Sequence, residues 1–139
     1  MNELLAIVII AVAILGGIFV YMLLTPQHAD AEWKIKAKTN LNKIRGLTTA
    51  KEEMILKNAV FEADKLLDFV LKSKKVKGET LGERLKNAKH LFRNNTSYNT
   101  IWEVHKLRNK LAHEMDYSPN SNFLRNSANS LLSEISDII

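Results

Sequence analysis

"LKNAVFEADKLLDFVLKSKK", residues 56–75, decides the fold class. Leu56, Ala59, Val60, Ala63, Leu67 and Val70 recur in steps of three and four, which places them on one side of an α-helix. Lys51, Glu53, Lys57, Glu62 and Lys65 fall largely off that stripe. A half-buried strand would alternate at every second residue, and no stretch of convincing length does so. The same helical period recurs three times downstream. Its apolar positions are Leu81, Leu85, Ala88 and Phe92, then Ile101, Val104, Leu111 and Met115, then Leu124, Ala128, Leu131, Ile135 and Ile138. Thr49 with Glu52, Thr80 with Glu83 and Thr100 with Glu103 have the spacing of capping boxes, Ser97 being an alternative start for the third helix. "RNNTSYN", residues 93–99, reads as a polar turn, and Ser118–Pro119 suits the start of the last helix. Two prolines and five glycines agree with long helices and few tight turns. The expected architecture over residues 48–139 is an all-α, up-and-down four-helix bundle.

Upstream, the chain runs from Leu4 to Leu24 without a charge. As a helix this run spans roughly 32 Å, the thickness of a bilayer's hydrocarbon core. A helix also satisfies every backbone amide internally, as a membrane requires. Residues 1–25 are therefore expected to be a single transmembrane anchor, closed by Thr25–Pro26, with Tyr21 and Trp33 toward the headgroups. A cleaved signal peptide with Ala29–Asp30–Ala31 as its site is the rival. It is disfavoured because Glu3 precedes the apolar run and no Lys or Arg does. Residues 26–47 form a basic connector in which Trp33, Ala37, Leu41 and Ile44 keep a helical spacing. Lys34, Lys36, Lys38, Lys43 and Arg45 follow the span, so the positive-inside rule puts the N-terminus outside and the rest in the cytoplasm, at the cell membrane. The net charge of +5 suits anionic lipid or nucleic acid alike. The absence of cysteine excludes disulfides and thiolate metal sites. Gly-rich phosphate loops, a serine elbow and a dinucleotide fingerprint are all missing.

"HKLRNKLAHEM", residues 105–115, carries the candidate chemistry. His105, Asn109 and His113 repeat every four residues and so share a helix face. Arg108 can reach the same rim, and Trp102 continues that side toward the N-terminus. His105 and His113 are too distant to share one ion within a chain, at roughly 12 Å along the helix axis. No metal and no cofactor are therefore expected. "KSKKVK", residues 72–77, suits RNA phosphates or, slightly better, a solvated helix end. Glu62, Asp64 and Asp68 read as surface charges, and His28 and His90 as isolated surface residues.

"RNKLAH", Arg108 to His113, resembles the motif of HEPN domains, an arginine followed after four to six residues by a histidine, here with the polar Asn109 directly after the arginine. The preceding helix at 56–75 and the later "LRNSANSLLSEISDI" are similar to that family's bundle, so the resemblance covers roughly residues 48–138. It implies a bundle of four or five helices, often a homodimer with two motifs meeting at the interface. Many members are metal-independent ribonucleases of toxin or antiviral defence systems, whereas others only bind partners. Carried onto this chain, His113 would be the acid/base residue and Arg108 the phosphate-binding residue. Asn109 would orient His113 or the substrate, and His105 is a possible accessory group. Histidine suits proton transfer near neutral pH, and arginine grips phosphate through its planar fork. RNA would leave 2′,3′-cyclic phosphate and 5′-hydroxyl ends, and DNA would survive for lack of a 2′-hydroxyl. Expected partners are the membrane, a second copy of the chain, RNA, and a protein partner or antitoxin. The competing reading is a membrane-tethered adaptor without catalysis, a subunit of a larger membrane complex.

Overall fold

The computed structural model describes the backbone of residues 2–139 and their side chains, apart from those of residues 2 and 23–29. All described secondary structure is helical, and no strand occurs among the described residues. Helix α1 covers Asn2–Leu47, α2 Glu53–Ser73, α3 Leu81–Asn87, α4 Asn95–His113 and α5 Ser121–Ile138, with one 3-10 turn at Lys89–Leu91. The chain divides into two compact units, Met1–Lys34 and Ile35–Ile139.

Within the first unit, Glu3–Met22 is long and apolar enough to cross a membrane, with a mean hydropathy of 2.9. Its large side chains, Ile9, Leu15 and Phe19 among them, are exposed. A helix that is apolar all round needs an apolar surrounding. The expected stop at Thr25–Pro26 is not met, because the helix assignment of α1 runs through both residues. A proline removes one hydrogen bond from the ladder rather than all of them, and the good helix formers that follow carry the helix onward. The side chains of Thr25, Pro26 and His28 lie outside the described ones; His90 is exposed as expected.

The second unit is a helical bundle. Its core combines Ala37, Leu41 and Ile44 from the end of α1 with the expected stripes of α2 and α5. The connector's helical period is therefore a packing stripe. Helix α2 packs chiefly on α5, and α4 packs on both. Leu56, Leu67, Leu85, Ile101, Leu131 and Ile135 are fully buried, each contributing roughly 1.5–3 kcal/mol by leaving water.

Several helix starts differ from the expected ones. Thr49 and Glu52 form no capping box. The hydroxyls of Thr48 and Thr49 donate back to the carbonyls of Arg45 and Gly46, and Glu52 itself is the N-cap of α2. Arg125 of α5 holds the intervening turn, donating through Nε to the Thr48 carbonyl and through Nη2 to that of Ala50, both at 2.9 Å. Thr80 does cap α3, accepting from the Glu83 amide, while the Glu83 carboxylate accepts from the Glu79 amide. The expected polar turn at 93–99 is mostly the first turn of α4, because Asn94 caps it through the Ser97 amide. Asn120 likewise caps α5 in place of Ser118. Met115 is 99% exposed beyond the end of α4, so it is no part of the stripe it was expected to continue.

Candidate active site

Helices α2 and α4 lie against each other, and the start of α3, which packs on α2, borders their seam. An open cleft of about 440 Å³ lies there, lined by Asp64, Asp68, Gly82, His105, Arg108 and Asn109, among others. Asp64 belongs to α2 and is 5% exposed. It is placed there by sequence position, four residues after the core residue Val60 and three before Leu67.

A buried carboxylate must find partners. His105 Nδ1 lies 2.8 Å from Asp64 Oδ1, and Arg108 Nε lies 3.5 Å from Asp64 Oδ2. Arg108 Nη1 donates to Asn109 Oδ1 at 3.1 Å, and Asn109 Nδ2 stands 3.4 Å from His105 Nε2. The four side chains thus close a ring. Its polarity is self-consistent. An ionised Asp64 accepts from His105 Nδ1–H, which leaves Nε2 with its lone pair facing the Asn109 amide. The Asn109–His105 contact is the longest of the hydrogen bonds in the ring, and both residues line the cleft. Arg108 also stacks over Phe61, its guanidinium carbon 5.5 Å from the ring centre. Its Nε is buried without a hydrogen bond, yet its side chain remains 32% exposed.

Beside the ring, Asp68 binds Arg84 at 2.8 Å and Lys72 at 2.7 Å. Burial opposes ionisation of Asp68, but the hydrogen bonds and charges of Lys72 and Arg84 outweigh it and hold the carboxyl below its ordinary value. Arg84 is itself buried, and its guanidinium also donates to the carbonyls of Gly78 and Glu79. Gly78 has φ +142°, and a Cβ there would meet the Arg84 amide nitrogen at 2.6 Å. Only glycine lets the loop come this close. Gly82 opens the cleft in another way. A Cβ placed on it would lie 3.9 Å from His105 Nε2 and 4.0 Å from Trp102 Cη2.

The structure therefore brings Arg108, Asn109 and His105 together. His113 is placed apart, exposed in the last turn of α4 and not among the residues lining the cleft. Asp64 is not the surface charge its acidic neighbours suggest, because its place on the apolar stripe of α2 buries it. Asp68 is half-buried rather than free. Lys72 pairs with Asp68, which leaves "KSKKVK" largely as the helix end and its following loop. No three His, Asp or Glu side chains are grouped so as to hold a metal ion among the described residues. Comparison with models of protein families, with curated proteins and with solved structures gives no match.

Proposed function

We propose that the protein is a membrane-anchored, metal-independent endoribonuclease of the HEPN-like kind, a toxin or defence enzyme, with its bundle on the cytoplasmic face. The ring of Asp64, His105, Asn109 and Arg108 at an open cleft is the observation that carries this reading. Asp64 holds His105 in the tautomer whose Nε2 can accept a proton. A substrate 2′-hydroxyl that displaces the Asn109 amide delivers its proton to that nitrogen. The freed 2′-oxygen attacks the adjacent phosphorus. Arg108 stabilises the charge that builds on the non-bridging oxygens, through donors now shared with Asn109. The bond from phosphorus to the 5′-oxygen breaks, and that oxygen needs a proton. Among the described residues, no second imidazole lines the cleft. His113 of a second copy, brought in by dimerisation, would supply it. An anchor confines two copies to a plane and raises their effective concentration.

The test is the full chain in detergent micelles, given a mixed RNA pool in EDTA. Wild type should yield cyclic-phosphate ends. His105→Asn and Arg108→Lys, which keep a donor for Asp64, should abolish cleavage while melting and helicity stay near wild type. If those variants unfold, the ring is a packing device, and an inactive folded wild type removes the enzyme reading.

The adaptor reading has its own observation. Leu47, Met54, Ile55, Phe61 and Leu111 line an apolar groove of about 660 Å³, and Met54 is 74% exposed. A purified protein without RNase activity, whose partner binding survives Arg108→Ala but not Met54→Asp, would support it.

A further inference from the structure

Aromatic rings continue away from the cleft along α4. Trp102 meets His105 edge-on, with ring centres 6.0 Å apart and planes at 73°. Tyr98 meets Trp102 at 6.4 Å and 84°, and Phe92 meets Tyr98 at 5.8 Å. Phe92 is buried, and packing explains it. Tyr98 and Trp102 keep part of their surface in solvent. The exposed Lys89 ammonium lies 5.8 Å from the centre of the Tyr98 ring. The wall facing both Trp102 and His105 is Gly82, which has no side chain to fill the space.

We infer that Trp102, with Tyr98 packed against it, forms a base-stacking subsite beside the cleft, which takes the unpaired bases of single-stranded RNA. This rests on the ribonuclease reading of the same cleft and adds the substrate class to it. A base within a duplex has both faces stacked already, whereas an unpaired base can lay one on an indole or a phenol. Stacking tolerates any base, so the subsite selects strandedness rather than sequence. Trp102 stands next to His105, so a base held on it positions its own ribose near Nε2. Lys89 stands where a neighbouring phosphate of the same strand would pass.

The experiment uses the full chain in detergent micelles and a 2′-O-methyl RNA oligomer, which cannot be cleaved, carrying one 2-aminopurine at successive positions. Anisotropy gives affinity, and 2-aminopurine emission reports stacking. Wild type should quench the probe at one or two positions and bind the same oligomer far more weakly once it is duplexed. Trp102→Leu should bind about tenfold more weakly, without quenching, and melt like wild type. Trp102→Phe should keep most of the affinity. Wild-type binding with no quenching at any position overturns the subsite, even if Trp102→Leu fails to fold. A folded Trp102→Leu that binds and quenches like wild type overturns it too. RNA cleavage by wild type together with either result would sink the subsite alone. A folded wild type that neither binds nor cleaves RNA would sink the ribonuclease reading with it.

Discussion

Asp64 organises its neighbours because it is buried and charged. It receives His105 on one oxygen and faces Arg108 with the other. Asp64→Asn keeps the shape but removes the charge, so His105 loses the partner that selects its tautomer. Cleavage should fall by a factor on the order of 10² to 10⁴, while the melting temperature drops only modestly. Single-turnover cleavage and circular dichroism of the same sample check this, and a variant as active as wild type would contradict it. Legibility at this scale was uneven. "RNKLAH" pointed to Arg108 and Asn109, which the cleft does contain. Asp64 stands next to Lys65 and so reads as part of an alternating surface charge, although it is buried. The better clue was its register with Val60 and Leu67, since a carboxylate on an apolar stripe demands a partner. No local pattern links it to His105, which lies 41 positions away in sequence.

At the scale of elements, period alone located α2, α4 and α5, because buried stripes repeat at helical steps. Their starts were less legible. Capping residues recur through the sequence, and tertiary partners select among them. Asn94 won over Ser97 and Thr100 because Ser97 is buried as part of the first turn of α4. Thr49 lost to Glu52 because Arg125 draws the Thr48 and Ala50 carbonyls into a separate turn. That guanidinium joins α5 to the connection between α1 and α2. Arg125→Met keeps the aliphatic stem and leaves both carbonyls without their donor. The expected loss is about 1–3 kcal/mol, measured as a lower urea midpoint with an unchanged slope. A neutral result would mean that water replaces both bonds at no cost.

At the scale of the whole molecule, two properties are open to direct measurement. The apolar segment Glu3–Met22 should keep the full chain in the membrane fraction through alkaline carbonate and high salt. Removing residues 2–24 should release it, and release of the intact chain by carbonate would speak against a span. Acid stability should reflect Asp68. Its folded-state value lies below the ordinary 3.8, so its stabilising contribution is complete above that value. It is lost as the pH falls toward the lower, folded-state one. The stability gap between wild type and Asp68→Asn should thus hold steady from pH 7 to 5 and shrink below about pH 4. A gap that stays constant down to pH 3 would show that Lys72 and Arg84 do not act through the ionised carboxylate. The connection at Lys77–Glu79 adds a consequence of another kind. Asn87 holds Lys77 while Arg84 holds Gly78 and Glu79 and is itself bound to Asp68, so the loop and one edge of the cleft share a single set of bonds. Gly82, two residues before Arg84 in α3, leaves an opening beside His105 and Trp102. Alanine fits there at ordinary contact distance from His105 and Trp102, whereas valine and then leucine would progressively shut it. Turnover of long RNA across that series should fall in step with side-chain volume while every charge in the cleft stays in place, and a flat response would mean that substrate enters from another side.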